Sequence, residues 1–466
     1  MSVKSLILFS RLSFFCLLGL YLLNPLNLYA KDSDLVEIYQ RALTYDALLS
    51  ASRYQNDATK ELINQGRSLF LPSITATGGY DENDNERKIL TPNISSSNNL
   101  LSGNKADFHS YDYSITIRQP LFDYGAFQQY KQIISQTNLS DKQLLQSQQD
   151  LIYRVVLIYF ETLMARDEIE LLQSQKKAVN EQLLESQARF ESGLISITDV
   201  NEAKTKASLI EAQLISAVQK LEIKRQQIKV LTGEEPGKLK GLQAAMNFVA
   251  IDSDMNRWVS LGLENNLELG IAQDQIKVAD YEISIRESDH LPTIDAIASR
   301  TRNWDKGGYP YGATENKGIR SYSDVLGVEI NIPIFSGGYT SSRVREAKLL
   351  KFKTEEDAEY IKREVELKVK QNFLSLQANY AEIEAYHQAL KSAELSLEST
   401  QLAFQEGLRN GVEVLVAQQV LFNAKRDLLK SRYNYLIYLI SLKQSVGILT
   451  ASDLEEINQY LVVNEI

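Results

Sequence analysis

Glycine and proline punctuate the chain twice in the same way. Residues 126–192 contain neither, Gly193 interrupts, and residues 194–232 run on to Gly233. Residues 339–406 are likewise unbroken up to Gly407, and after Gly411 residues 412–446 run on to Gly447. These two residue types are the strongest helix stops, so each half is predicted to hold a very long helix, a turn and a second long helix. At 1.5 Å per residue the longer members would each span about 100 Å. Within them, apolar positions step by three and four: Ile169, Leu172, Lys176, Val179, Leu183, Ser186 and Phe190 in one, and Phe373, Leu376, Tyr380, Ile383, His387, Leu390, Glu394, Leu397, Gln401 and Phe404 in the other. Such steps lay a stripe against a neighbouring helix. The polar members argue against a dry two-stranded zipper and for helices packed side by side in a wall.

Between the helices the period changes from 3.6 to 2. Tyr113, Ile115 and Ile117 alternate with Ser114, Thr116 and Arg118, and Val328, Ile330 and Ile332 alternate with Gly327, Glu329 and Asn331. One apolar face at period two marks a half-buried strand. Strands are predicted at Ser73–Tyr80, Tyr111–Gln119, Thr293–Arg300 and Val325–Ile332, paired around two polar loops. Lengths of about nine residues suit a tilted membrane strand. They also suit a soluble hairpin packed on a helix, but no apolar helical segment is left over to cover that face.

The two halves match in sequence as well as in pattern. Arg189-Phe190-Glu191-Ser192-Gly193-Leu194 parallels Ala403-Phe404-Gln405-Glu406-Gly407-Leu408, and Asp199-Val200 parallels Glu413-Val414 at the same offset. Pro120-Leu121-Phe122 parallels Pro333-Ile334-Phe335, and Leu71-Pro72 parallels Leu291-Pro292. Four anchors in one order indicate a duplicated unit. The predicted division is 31–70 helix, 71–122 strand pair and loop, 123–233 helical hairpin and 234–258 mixed segment, then 259–290 helix, 291–335 strand pair and loop, 336–447 helical hairpin and 448–466 mixed segment.

Composition narrows the function. Lys4 and Arg11 precede the apolar run Leu12–Leu23, and Ala30 suits a cut, so residues 1–30 read as a secretory signal peptide. The only cysteine, Cys16, would leave with it, which removes disulfide, thiolate-metal and cysteine-nucleophile chemistry. Losing Lys4 and Arg11 takes the formal charge from −10 to −12, the wrong sign for a general nucleic-acid surface. The longest later apolar stretch, around Tyr435–Leu439, falls well short of the roughly 20 residues of a spanning helix. His109, His290 and His387 form no ligand-spaced cluster, and there is no phosphate loop or nucleophile elbow. Neither an enzyme nor a cofactor is expected.

Four strands cannot close a barrel, and an open edge in hydrocarbon leaves backbone groups unpaired, so the sheet would close with other copies. Two copies give eight strands and three give twelve. At this point a resemblance is specific. The mature chain resembles the TolC family of outer-membrane export channels. The resemblance rests on Asp34-Leu35-Val36 with Tyr39 and Ala42, on the two Leu-Pro strand entries and on Gln119-Pro120-Leu121-Phe122. It continues through Gly193-Leu194 to Thr198-Asp199-Val200, and Ala424-Lys425 to Tyr433-Asn434-Tyr435. Asp46-Ala47 stands where the family has Asp-Pro. The resemblance implies a mainly α fold with a transmembrane β-barrel: a homotrimer in the outer membrane of a Gram-negative cell, a twelve-stranded barrel, and a long coiled-coil tube through the periplasm. It implies a passive duct that opens when an inner-membrane transporter (of the RND, ABC or MFS type) and its periplasmic adaptor dock.

The resemblance also implies where the duct is gated. Thr198, Asp199 and Arg409 match the polar links at the periplasmic end, and Phe404 stands where the family has a linking tyrosine. A charge-assisted link there would favour the closed state by about 1–3 kcal/mol. Glu413 matches one of two acidic entrance positions, the other being Val416 here. Glu413 is also placed to offset a helix dipole. Gly193, Leu194, Gly407 and Leu408 match the tips that meet the adaptor; packing inside the turn is the alternative for the two leucines. A secreted coiled-coil scaffold or adhesin without a pore is the rival reading of the whole chain. Drug efflux and type I protein secretion both remain open as the exported cargo.

Overall fold

The computed structural model describes residues 33–86, 105–243, 246, 248–251, 254–307 and 318–462. The signal segment with Cys16 and the centres of both strand-connecting loops lie outside these residues. In chain order the elements are α1 Leu35–Tyr45, α2 Ala47–Ser68, β1 Ser73–Glu86, β2 Lys105–Phe122, α3 Tyr124–Glu191, α4 Ile197–Thr232, β3 Gly241–Leu242, α5 Met255–Asn265, α6 Leu267–Ser288, β4 Thr293–Gly307, β5 Ile319–Asn331, α7 Tyr339–Gln405, α8 Gly411–Val446, α9 Ala451–Asn458 and β6 Leu461–Val462. Among the described residues no helix is long and apolar enough to cross a membrane.

The 68-residue α3 and the 67-residue α7 are each about 100 Å long. Each is flanked along its length by shorter helices stacked end to end. Beside α3 run α2 above and α4 below, with the end of α4 seated against α1. There Gly233, at φ +78°, lies so close to the Tyr45 ring that a β-carbon would stand 2.6 Å from it. Beside α7 run α6 above and α8 below. The joint is Gly447, at φ +87°, where a β-carbon would sit 2.3 Å from the Asn265 carbonyl oxygen. Asn266 secures that joint by donating to the Ser445 carbonyl at 2.8 Å. The α3 helix also packs on α6 and α8. The helical layer is therefore four rods side by side: α2/α4, α3, α6/α8 and α7.

The predicted single helices at 31–70 and 259–290 are each broken once. Asp46 (φ −60°, ψ 116°) and Asn266 (φ −61°, ψ 126°) leave helical geometry at equivalent places in the two repeats. Each side chain accepts the backbone N–H three residues on, from Leu49 and Leu269. A short acceptor at such a position competes with the continuing helix and starts a new one. The second of these helices also begins earlier than predicted, at Met255.

The stripes keep the predicted seams at Phe373, Leu376, Ile383, Leu390, Leu397 and Phe404 of α7 and at Ile169, Leu172, Val179 and Ser186 of α3, and depart from them elsewhere. Along the lower part of α7 the half-buried or buried positions include Phe373, Leu376, Asn379, Ile383, Tyr386, Leu390, Ala393, Leu397, Thr400 and Phe404. Tyr380, His387, Glu394 and Gln401 point to solvent within the chain. Along α3, Gln175 and Gln182 are buried where Lys176 and Leu183 were expected. The departures arise because a long helix carries apolar residues on more than one line, and steps of three and four do not say which line meets the neighbouring rod.

The main core lies midway along the rods. Leu151, Val155, Val156, Tyr159, Phe160 and Leu163 of α3 meet Leu35 and Ile38 of α1. They also meet Val369, Phe373 and Leu376 of α7, and Leu436, Ile440 and Leu442 of α8. The described residues of the two mixed segments, within 234–258 and 448–462, pack on this level through Leu239, Phe248, Leu449, Leu454 and Ile457. They join through antiparallel β3 and β6, pairing Gly241 with Val462 and Leu242 with Leu461. Tyr159 Oη donates to the Lys240 carbonyl at 2.8 Å and Tyr435 Oη to the Val249 carbonyl at 2.7 Å, tying the collar to the rods.

The large sheet is antiparallel in the order β1-β2-β4-β5. Its strands run 14, 18, 15 and 13 residues, longer than predicted, so they extend past a membrane's needs. Residues directly opposite share a face. One face carries Ile74, Ile115, Ile117, Leu326, Val328 and Ile330, all at least partly exposed. The other carries Thr75, Thr77, Ser114, Thr116, Ser299 and Thr301.

Candidate functional site at the helical tips

The two turns furthest from the sheet are built alike. Arg189 and Ala403 accept backbone N–H groups from Leu194 and Leu408 at 2.9 and 2.8 Å. Phe190 and Phe404 accept from Gly193 and Gly407 at 2.9 and 3.1 Å. This double bond pattern closes a helix through a left-handed residue. The glycines are needed for that conformation, at φ +75° and +72°, and not for space. The leucine after such a glycine commonly folds back on its helix, but Leu194 is 72% and Leu408 81% exposed. Each tip therefore presents one bare leucine.

Four residues after each leucine's turn begins, a capping box starts the returning helix. Ser196 accepts from Thr198 N–H at 3.0 Å while Asp199 accepts from Ser196 N–H at 3.2 Å. In the second repeat Asn410 accepts from Glu413 N–H at 2.9 Å while Glu413 accepts from Asn410 N–H at 3.4 Å. Both carboxylates thus offset the dipole and free N–H groups of a helix start. Arg409 also donates to Glu413, and this hydrogen bond, helped by the Asn410 N–H, holds the Glu413 carboxyl below the ordinary glutamate range.

Within one chain, then, Asp199 and Arg409 each have a local partner: Asp199 caps α4 and Arg409 pairs one turn along α8. Thr198 and Arg409 are exposed and Asp199 is half-buried. Phe404 is buried, and the Arg189 guanidinium lies 4.1 Å from its ring centroid. That contact links the foot of α3 to the foot of α7, across the two repeats. In the sequence Phe404 stands out only as a tyrosine without its hydroxyl, and its partner is signalled only by the arginine five residues before the tip leucine of the other repeat. A polar interior, with no signal in the sequence, lies just above the tips. Gln182, Ser186 and Gln418 are buried there, and Gln182 Nε2 and Gln418 Oε1 have no hydrogen-bond partner. Gly411 lies beside Gln182 and Ser186, at 3.3 and 3.6 Å from where a β-carbon would be.

At the opposite end of the rods, on the polar face of the sheet's base, Arg118 donates to Asp295 at 2.8 Å and reaches Glu329 at 3.5 Å. The rods follow one another in the same repeat order as the strands, first repeat then second.

Known proteins resemble the chain at every level. Residues 38–234 and 258–448 match the sequence profile of the family described as outer membrane efflux protein. Outer membrane protein TolC of Vibrio cholerae is 30% identical over 437 residues, covering 92% of this chain and 94% of its own. The proteases secretion protein PrtF of Dickeya chrysanthemi is 25% identical, covering 92% and 91%. The crystal structure of the outer membrane protein VceC from Vibrio cholerae superposes with a TM-score of 0.70 at 16% identity, covering 89% of this chain and 96% of that one. The two matched blocks coincide with the two repeats and stop short of the collar between them. The protein is an exit duct of the Gram-negative outer membrane that extends into the periplasm, in a family of channels that work with inner-membrane pump systems. Repeats, rods, sheet and relatives agree: the chain belongs to the outer membrane efflux protein family.

Proposed function

We propose that three copies close into one continuous duct, a twelve-stranded barrel above a twelve-rod tube, that rests shut at its tips and opens when a periplasmic adaptor and an inner-membrane transporter dock there. One observation carries this: the free edges of the two layers match. The sheet ends in β1 on one side and β5 on the other. The wall ends in α2/α4 on the β1 side and in α7 on the β5 side. Each free helical edge is apolar where it should be solvated. Leu209, Ile215, Val218, Ile223 and Val230 are exposed on α4, and Leu349, Phe352, Tyr360, Leu367, Leu374 and Leu395 on α7. Unlike edges that meet head to tail generate rings, and ring closure satisfies the strand edges that a membrane would otherwise leave unpaired.

In this reading Thr198, Asp199, Phe404 and Arg409 form the gate. The Arg189–Phe404 contact holds the two inner feet of one protomer together, and Asp199 with Arg409 supplies links between protomers once Arg409 exchanges its Glu413 partner. The buried glutamines above the tips, only partly hydrogen-bonded, lower the cost of sliding one rod past another. Glu413 forms the entrance ring. Val416 is neutral, so the ring has one carboxylate per chain and its cation preference is weak. Gly193, Leu194, Gly407 and Leu408 are the adaptor contacts. Both drug efflux and type I protein secretion fit such a duct, since its selectivity is set by the attached pump.

The closure is tested with paired cysteines on the two edge strands, one scanned along residues 74–78 of β1 and one along 325–329 of β5. Oxidation of the membrane-embedded protein is expected to give a covalent trimer from some register and no larger species. Crosslinking that stops at dimers, or none in any register while the protein remains in the membrane, contradicts the ring.

A further inference from the structure

The apolar face of the sheet ends, on the side away from the rods, in a belt of aromatic rings and arginines. Tyr80, Tyr111 and Trp304 lie in one cross-strand row, with ring centroids 5.1 and 5.8 Å apart. Aromatic rows of this kind mark the level where a barrel meets the lipid headgroups. The same row continues onto β5 with Arg320, whose guanidinium lies 4.5 Å from the Trp304 ring centroid. One row nearer the rods, Arg302 lies 5.5 Å from the Tyr322 ring centroid. The next row holds Arg300 against Asp324 in a two-bond pair, both bonds 2.7 Å. Below that the face is aliphatic.

The charges do not cancel. Arg300 occupies both oxygens of Asp324, whereas Arg302 and Arg320 each lie over a ring. A ring braces a guanidinium without neutralising it or using up its N–H donors. The β4–β5 side of the belt therefore presents two held cations, each flanked by an aromatic surface, at headgroup depth on the face that the trimeric barrel turns to lipid. On β1, further from the rods, Glu82 and Asp84 share this face, so the cationic patch is confined to one side of each protomer. Arginine in this setting matches a phosphate, which it can bind through two parallel charge-assisted hydrogen bonds. Rods that extend into the periplasm put this end of the sheet in the outer leaflet, whose characteristic lipid is a phosphorylated glycolipid.

We propose that Arg302 and Arg320, braced by Tyr322 and Trp304, form a binding site on each protomer for the phosphate groups of that glycolipid, lipopolysaccharide. The inference rests on the barrel reading above, because only a closed barrel directs this face outward.

The test uses the purified full-length trimer in neutral detergent, first confirmed as a trimer by native mass spectrometry. Thermal unfolding and lipid retention are then followed with added lipid A, with lipid A stripped of both phosphates, and with inorganic phosphate. Lipid A alone should raise the midpoint and remain bound in the mass spectrum. Arg302→Gln/Arg320→Gln should weaken retention by about tenfold for each arginine, the scale of one lost charge-assisted contact. Arg302→Lys/Arg320→Lys should keep part of it, which separates a lost site from a misfolded belt. Equal stabilisation by the dephosphorylated lipid, or undiminished binding to the glutamine variant, overturns the site. Equal stabilisation by inorganic phosphate reduces it to unspecific anion binding and also overturns it. Failure to isolate a trimer would instead count against the barrel, and the lipid site would fall with it.

Discussion

Leu194→Asp/Leu408→Asp is expected to abolish export, reducing secreted or effluxed substrate at least 100-fold while leaving the protein's assembly and membrane insertion as in the wild type. Both side chains are almost fully solvent-exposed in the chain, and the turns that carry them are closed by backbone hydrogen bonds alone. The substitutions therefore leave the fold unchanged. What they remove is apolar surface that an adaptor would cover. Burying one leucine contributes about 1.5–3 kcal/mol, and 2.8 kcal/mol, well within the reach of two leucines, is about 100-fold in affinity. A charged group buried in their place adds a desolvation cost. The checks are a drug-susceptibility or secretion assay beside native mass spectrometry of the membrane-extracted protein, in which variant and wild type should show the same assembly. The glycines should behave differently: Gly193→Ala is expected to strain the left-handed turn and impair stability before docking. Normal export by the double aspartate variant would show that the tips are not the docking surface.

Asp46→Ala is expected to destabilise the folded chain by about 2–4 kcal/mol. Asp46 is 5% exposed, caps α2 through Leu49 N–H at 2.7 Å, and receives two hydrogen bonds from Arg154 at 2.9 and 3.0 Å. Losing one partner of a buried pair costs about 3–5 kcal/mol, and the lower figure applies because Arg154 is 30% exposed and can rehydrate. Asp46→Asn should recover about 1 kcal/mol, since asparagine still caps. Burial alone would raise the Asp46 carboxyl, but the Arg154 hydrogen bonds and the Leu49 N–H outweigh it, and the net shift is downward. A carboxyl lowered in the folded state stabilises fully above its unfolded value of about 3.9 and loses that contribution as pH falls through the lower folded value. The gap in unfolding midpoint between wild type and Asp46→Ala should therefore be widest at neutral pH and close below about pH 4. A gap that persists in acid would assign the effect to packing instead of charge.

The parts of this fold that could be read in the sequence share one property: they depend on local signals. Gly193, Gly233, Gly407 and Gly447 end their helices because each must take positive φ, and so the four helical lengths were visible. The duplication was visible because the same turn chemistry recurs at the same offsets. The alternation Tyr113–Ile117 was visible because one face of that strand is apolar. What was not visible depends on partners. Asp46 and Asn266 look like ordinary helix residues until their side chains are seen to start new helices. Asn379 and Tyr386 take the buried and half-buried places expected for Tyr380 and His387, because periodicity alone does not say which of two adjoining lines meets a neighbour. Arg189 became part of the tip only when Phe404, more than two hundred residues away, was found beneath it. Thr198, Asp199, Phe404 and Arg409 are assigned to a gate through the resemblance alone, and within one chain Asp199 and the entrance residue Glu413 serve as helix caps, as the duplicated capping boxes require.

A duct closed at rest by contacts at its tips is read most directly by single-channel conductance in planar bilayers. Wild-type protein is compared with Asp199→Ala/Arg409→Ser, both added from the side that mimics the cell exterior. The expected result is small, weakly cation-preferring steps for the wild type and clearly larger steps for the variant, with no change in the rate of insertion. Equal steps from both would contradict the gate. An absence of any conductance, where a porin inserts and conducts under the same conditions, would contradict the duct.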